Sequence, residues 1–574
     1  MGIAPIEYPP DVDSAEDFVG PPLDPEDERI EVGVAIVGGG PGGLACAIRL
    51  MQLLENAPQV AEALGEVPVA LIEKGKAPGS HLLSGAIMRP SAFRRLLPDL
   101  PESEWPTFGS VDKERVYLMT GRDRAIPLPT PPPFRNHGNH VLSLAQLGRF
   151  LSARAEEAGV YVLPETAATR LLVEDGTVRG VRTGDKGRGR DGEELSNFEP
   201  GSDVIARATV LAEGTQGHLT GAAISRFGLA GDDPPQWELG VKEVWEVAKP
   251  LDRVIHTMGW PLRPSARYRE FGGSFIYPMG EDKVSIGFVV GLDYRDATFS
   301  CHDVLQELKT SKLVRGILEG GKRVGWGAKT IPSGGYWAMP ERLWAPGLCL
   351  VGDGASMVNV PQLKGIHYAL HAGMFAAEAI YDALKRGSTD DLSGYENRVR
   401  DSEIERDMYR SRNMRQPFNK GFLVGGAIAN VMEASGGRFP PGHWRTHDDA
   451  SIDVFIGRRN RSYPKPDGKY TFDKLSSVFA SGNATRDDAP NHIRLQRNVP
   501  LALAVMWENM CPAQVYAVPD EVKERMAKNG GGMDDELVDL EVTPSNCVQC
   551  GAITAKGGRL TPPEGGDGPN YQQT

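Results

Sequence analysis

The sequence predicts an α/β protein: a Rossmann-type domain assembled from several stretches of the chain, a second domain built on an antiparallel sheet, and a small cysteine-bearing unit near the C-terminal end. Three observations predict this. Residues 34–43 read VAIVGGGPGG, an apolar run followed by Gly38-x-Gly40-x-x-Gly43 at the head of a helical pattern. Two later apolar runs end on an acid beside a glycine, at Glu213-Gly214 and at Gly352-Asp353-Gly354. Alternating runs such as residues 284–290 lie among Gly-rich turns, the period of half-buried strands.

At 574 residues the chain is too long for one core. Its 40% hydrophobic and 24% charged residues are those of a globular protein. A net charge of -13 offers no basic field, which excludes nucleic acid as a partner. Six cysteines are too few and too scattered for a disulfide framework. Cys46, Cys301 and Cys349 read as buried small hydrophobes, whereas Cys511, Cys547 and Cys550 gather near the end.

Residues 1–30 carry Glu7, Asp11, Asp13, Glu16, Asp17, Asp24, Glu26, Asp27 and Glu28 among prolines. They read as an acidic leader lying on the surface and unable to bury itself, with order beginning at Glu31. This region has no apolar core of a signal peptide and is too acidic for a mitochondrial presequence. Residues 32–37 then read as a buried strand, 43–54 as a helix and 67–72 as a second strand ending at Glu73, with a helix extension or insertion in 55–66. A helix follows over 144–158, strands within 160–181 and over 208–212, and an exposed Gly-rich hairpin over 183–201. The strand 348–351, with Gly-Asp preceding a helix, and the helix 366–384 return to the first domain.

In the first motif Gly38 permits a tight turn, Gly40 lets a pyrophosphate approach the backbone, and Gly43 lets the helix pack on the strand. Glu73, at a strand end, is placed to accept hydrogen bonds from ribose hydroxyls despite lying 30 residues beyond Gly43. Together with Glu213-Gly214 and Gly352-Asp353, the motif resembles the three fingerprints of the glutathione-reductase-like FAD fold. FAD is therefore the expected cofactor, with the Asp353 carboxylate near its ribityl and pyrophosphate groups.

Longer blocks narrow the resemblance. Residues 79–86 (GSHLLSGA), 136–139 (NHGN), 259–262 (GWPL), 272–275 (GGSF), 286–294 (IGFVVGLDY), 318–323 (LEGGKR), 359–365 (NVPQLKG) and 565–571 (GGDGPNY) follow one another as in the electron-transfer-flavoprotein:quinone oxidoreductases. The chain resembles that family from about residue 31 to 571. The resemblance implies a monotopic enzyme that takes electrons from electron transfer flavoprotein and passes them through FAD and an iron-sulfur cluster to ubiquinone or menaquinone. It adds Ser84, Gly85 and Gly365 to the FAD contacts. It assigns Gly259, Gly272 and Gly273 to the quinone, with Phe271 standing where the family commonly has Tyr.

Residues 421–432 (GFLVGGAIANVM) are too short to cross a bilayer, and read equally as a segment dipping into one leaflet or as a buried core helix. Residues 116–119 are a second candidate membrane contact. The implied seat is the cytoplasmic face of a bacterial inner membrane, or the mitochondrial inner membrane for a processed form.

A Cys-x-x-Cys with a remote Cys-Pro permits zinc, a redox dithiol or plain structural thiols. The family pattern is Cys-Pro followed by Cys-x-x-Cys-x-x-Cys, four thiolates for a 4Fe-4S cluster. Here Cys511, Cys547 and Cys550 match, but Ile553 occupies the last position, and isoleucine cannot ligate iron. Three outcomes stand: a 3Fe-4S centre, a 4Fe-4S centre with an oxygen ligand such as Thr554, or no cluster. Tyr516 matches a hydroxyl beside the family's cluster, while Ala552 replaces an expected Thr.

The expected domains are an FAD domain (31–110, 140–232 and 335–415), a quinone- and membrane-facing domain (111–139 and 233–334), the apolar segment (416–439) and a ferredoxin-like iron-sulfur domain (440–574). The rival readings are a FixC-like or geranylgeranyl-reductase-like FAD reductase, and a flavin-binding protein whose cluster site has degenerated.

Overall fold

The computed structural model describes residues 2–10, 17–457, 461–529 and 534–574. The strand Ile30–Val37 is buried on both faces from Val32 onward, as a continuous apolar run in a parallel sheet requires. It pairs in parallel with Val69–Ile72 on one side and Asp203–Leu211 on the other. Tyr161–Leu163 extends the parallel sheet beyond Val69–Ile72, and Leu348–Leu350 joins the far side of Asp203–Leu211. Pro41–Glu55 packs on this sheet together with Ile366–Arg386. The predicted insertion after the first helix is a short helix, Pro58–Glu62.

Two features of the N-terminal region differ from expectation. Val19–Gly20 adds a parallel strand to the sheet edge beside Ala168–Glu174. Ile3, Ala4 and Pro5 are buried, and Ile3 bridges to Val454. Order thus precedes Glu31, because unpaired groups of the edge strand and apolar residues further on give this stretch partners that its own composition does not reveal. Asp24 and Asp203 share the Arg182 guanidinium, at 2.7 and 2.8 Å. Asp11, Asp13 and Glu16 lie outside the described residues.

The second sheet has the order Lys322–Pro332, Trp237–Glu246, Lys283–Gly291, Gly272–Met279, Val254–Gly259, Glu114–Gly121, Arg124–Leu128. It is antiparallel except where Val254–Gly259 runs parallel to Glu114–Gly121, a pairing between segments too distant in sequence for a hairpin. Val116 and Met119 are buried in this strand, while Tyr117 and Leu118 are half-buried. Beneath this sheet, Glu243 is held by Lys309 at 2.7 Å and by Trp245 Nε1 at 2.7 Å, with Glu243 and Lys309 both fully buried.

The C-terminal unit contains the helices Lys474–Ala480 and Leu501–Met510 and small two-stranded pairings, including Tyr516–Ala517 with Glu541–Val542. Its apolar side chains, among them Val499, Leu503, Trp507 and Val548, form one continuous core with Val241, Ile286 and Trp326 of the second sheet. The cysteine unit is therefore fused to the sheet rather than tethered to it.

Phe422–Ala434 is a helix with only Gly425 and Met432 buried. Leu423, Val424, Ala427, Asn430, Val431 and Ala434 are exposed and share one face by helical spacing. Of the two readings of this segment, the buried core helix is excluded. Among the described residues no helix is long and apolar enough to cross a membrane.

Candidate functional site

The turn after Ile30–Val37 requires glycine at its first position. Gly38 has φ +107°, and a Cβ there would run into the carbonyl of Ala212. A Cβ on Gly43 would collide with Gly38 O, so this glycine seats the helix on the strand and does not line the cavity. Gly40 faces open space, the nearest atom to a Cβ position being a Leu82 methyl at 3.7 Å. Gly38–Gly42, at the N-terminus of Pro41–Glu55, open onto a long cavity that continues to Gln549, Gly551 and Thr554 of the C-terminal unit.

Gly38, Gly40, Glu73, Ser84, Gly85, Glu213, Gly214, Gly352, Asp353 and Gly365 all line this cavity. Glu73 accepts from Gly39 N at 2.8 Å and Gly75 N at 2.6 Å; it holds the phosphate loop, and its remaining lone pairs are available to hydroxyls. Glu213 accepts from Thr220 N (2.6 Å) and Thr220 Oγ1 (2.7 Å) at the start of the helix His218–Phe227. Burial opposes its ionisation, but His218 and Thr220 hold its carboxyl below the ordinary range. Its carboxylate caps that helix. Gly352–Ala355 is a single 3-10 turn, and the long helix begins only at Ile366, so the helix N-terminus at the cavity belongs to Gly365 rather than to Asp353. Burial pushes the Asp353 carboxyl up to about 6, against the pull of Lys329.

Several lining residues were not singled out as contacts in the sequence. Lys74, Lys329 and Lys364 bring positive charge to the cavity, and burial lowers Lys329 and Lys364 to about 8. Both ring nitrogens of His81 and both amide atoms of Gln216 are buried without a hydrogen-bond partner, and Glu238 Oε1, likewise buried, has only Arg415 Nε at 3.9 Å; all three residues line the same cavity. Buried polar groups are rarely left unpaired, so this set, with the cationic lining and the open face at Gly40, fits a large polar anion such as FAD. His81 and Lys364 lie inside the family-like blocks 79–86 and 359–365; Gln216 and Lys329 carry no sequence signal.

Gly259, Gly272 and Gly273 lie elsewhere, at the ends of two strands of the second sheet, Val254–Gly259 and Gly272–Met279. Cβ atoms at Gly272 and Gly273 would run into Val289 O and Thr257 O, and one at Gly259 would meet Met119 O at 2.5 Å. None of the three lines the large cavity. Phe271 packs against Phe418 with centroids 4.4 Å apart and the rings tilted by 51°, at the foot of the exposed helix, and the Arg415 guanidinium lies 4.3 Å from the Phe271 ring centroid.

Cys511, Cys547 and Cys550 are buried around one small cavity with Tyr516, Val548 and Ile553. Burial raises all three thiols, Cys550 to about 12, so binding a metal centre there releases protons. Val515 N and Gln549 N donate to Cys511 Sγ and Cys547 Sγ, at 3.4 and 3.3 Å. Among the described residues no group of three His, Cys, Asp or Glu side chains converges on a single-ion position.

The two cavities share a wall. Gly551 and Leu560 line both. Lys329 Nζ donates to Gln549 O at 3.0 Å and Thr330 N to Cys550 O at 2.8 Å, fastening the cysteine loop to the strand that lines the large cavity.

Against this geometry, residues 237–331 match the model of the ubiquinone-binding region of electron transfer flavoprotein-ubiquinone oxidoreductase (ETF-QO), and residues 468–572 match that enzyme's 4Fe-4S domain. The mitochondrial electron transfer flavoprotein-ubiquinone oxidoreductase of Caenorhabditis elegans is 37% identical over 94% of this chain and 91% of its own. The enzyme of Pseudomonas aeruginosa is 35% identical over 95% of this chain and 99% of its own. The chain belongs to the electron transfer flavoprotein-ubiquinone oxidoreductase family. Its fold is also that of a geranylgeranyl bacteriochlorophyll reductase-like protein of Thermoplasma acidophilum, with a TM-score of 0.52 and 19% identity over 71% of this chain and 92% of that one. The rival reading as such a reductase is therefore supported by fold alone, while the family resemblance extends through the cysteine unit. The matched domain is a four-iron one, and among the described residues three cysteines line the small cavity, with Ile553 beside them.

Proposed function

We propose that this protein takes electrons from reduced electron transfer flavoprotein and passes them to ubiquinone at a membrane surface. The observation that carries the reading is the shared wall: Gly551 and Leu560 separate the flavin-type cavity from the cysteine cavity by single residues, and one fused core fixes that separation. When bound, FAD and the iron-sulfur centre would supply the redox chemistry, converting single electrons into the pair that reduces a quinone. The residues of the chain hold and tune. The Gly38–Gly43 turn and the helix N-terminus receive the pyrophosphate, Glu73 braces the loop beneath it, and Lys74 and Lys329 offset negative charge. Cys511, Cys547 and Cys550 would hold the cluster.

The exposed face of Phe422–Ala434 supports peripheral insertion into one leaflet. Phe271 and the adjacent Gly272-Gly273 lie at the foot of that helix, where a quinone ring entering from the lipid would arrive. Phe271 presents a ring without a hydroxyl, so the quinone carbonyls there meet backbone groups. With a bacterial relative over its full length, the seat proposed is the cytoplasmic face of a bacterial inner membrane.

The reading is tested by following quinol formation from a soluble ubiquinone analogue with the flavin-loaded protein and enzymatically reduced electron transfer flavoprotein. Turnover that requires both proteins supports the function. Flavin reduction by a nicotinamide nucleotide, with no response to the partner flavoprotein, overturns it.

A further inference from the structure

A cuboidal four-iron cluster presents four iron corners, each needing one external ligand. Three are accounted for by Cys511, Cys547 and Cys550. The fourth position in the loop falls on Ile553, which is 3% exposed and lines the same cavity. Its side chain is wedged against Gly558, where a Cβ position would lie 2.6 Å from Ile553 Cγ1, and Gly558 N donates to Ile553 O at 3.0 Å. The branched side chain is thus fixed by its own loop and cannot withdraw to admit another donor.

The oxygen donor next to Ile553 in sequence is also committed. Thr554 lines the larger cavity, and its Oγ1 accepts from Leu560 N at 3.2 Å. The walls around the cysteines are mainly apolar, including Met510, Val515 and Val548. Apart from the thiols, Tyr516 is the one polar side chain of this lining, fewer than the two to four polar partners that a buried water needs.

We infer that this chain carries a three-iron, 3Fe-4S centre held by Cys511, Cys547 and Cys550, with Ile553 filling the corner that the fourth cysteine of the family pattern would serve. The inference rests on the reading that the cysteine unit holds a cluster at all. When bound, such a centre would supply one-electron transfer with no iron gained or lost, with Cys511, Cys547 and Cys550 holding it.

The test uses the full-length protein, flavin-loaded and reconstituted anaerobically with ferrous iron and sulfide, in the natural sequence and as Ile553→Cys. Iron, sulfide and flavin are quantified, and low-temperature EPR spectra are recorded oxidised and after dithionite. The expected result is three irons per flavin and a paramagnetic signal in the oxidised state that disappears on reduction. Excess ferrous iron with dithionite leaves the iron count at three. Ile553→Cys shifts the count to four and inverts the pattern, silent when oxidised and paramagnetic when reduced.

Four irons in the natural sequence, with a signal only on reduction, would overturn the inference while leaving the cluster intact; Tyr516 or solvent would then complete the fourth corner. Flavin without iron in both proteins would overturn both the inference and the cluster reading. Iron in Ile553→Cys alone would show that three thiolates here are insufficient, and would likewise overturn it.

Discussion

The exposed face of Phe422–Ala434 makes a quantitative prediction. Leu423 is 77% exposed, and Val424 and Val431 are each 48% exposed. Fully burying such side chains is worth roughly 2–3 kcal/mol each, so insertion of this face into lipid gains roughly 2 kcal/mol from Leu423 and about 1 kcal/mol from each valine. Replacing all three by glutamine, a good helix former, removes about 4 kcal/mol of membrane affinity, on the order of a thousand-fold in partitioning. Because these side chains contact little protein, folding stability changes by no more than about 0.5 kcal/mol per site. Co-sedimentation with phospholipid vesicles measures the first quantity and thermal unfolding the second. Activity toward a water-soluble quinone analogue is retained, while activity toward long-chain ubiquinone in vesicles falls with binding. A triple variant that still partitions within threefold of the parent would refute the assignment of this helix to the membrane.

Gly43→Ala forces a Cβ against Gly38 O, so it costs roughly 1–3 kcal/mol by overpacking and lowers flavin content, read by melting and by absorbance of the purified protein. Lys309→Met leaves the Glu243 carboxylate buried without its main counter-charge and destabilises the fold by about 3–5 kcal/mol, measured by denaturant titration. Burial raises the Glu238 carboxyl from 4.5 to about 7 despite Arg415. The folded state therefore binds this proton more tightly than the unfolded chain. Its contribution is fully present below about pH 4.5 and is lost as pH rises through about 7, a fall of up to about 3 kcal/mol. Glu238→Gln flattens the melting profile between those values and gains stability relative to the parent at pH 8; an unchanged pH profile would contradict the assignment.

Much of the flavin-type site was legible because it rests on local rules. A strand, three spaced glycines and a helix make a local pattern that points to a phosphate turn, and Gly38, Gly40 and Glu73 line the cavity at that turn. Other parts depend on contacts between distant segments. Gln216 and Lys329 become site residues only because the second sheet and the turn after Glu213-Gly214 meet at the cavity. Val19–Gly20 is ordered by a sheet edge some 150 residues away in sequence, and residues 116–119 enter a parallel strand pairing that no hairpin rule anticipates. The apolar run 421–432 reads alike as core or as membrane face, since composition does not tell which neighbours remain uncovered. Glu213 carried a residue-type signal for the cofactor, but in the fold its carboxylate caps the helix His218–Phe227.

The central claim is that this chain carries electrons between a partner flavoprotein and ubiquinone. Anaerobic stopped-flow mixing of the flavin-loaded protein with reduced electron transfer flavoprotein, with and without ubiquinone-containing vesicles, tests it most directly. The account predicts that the partner bleaches the bound flavin in both cases, and that its colour returns only when ubiquinone is present. A flavin that the partner does not reduce, or that stays bleached in the presence of ubiquinone, would contradict it.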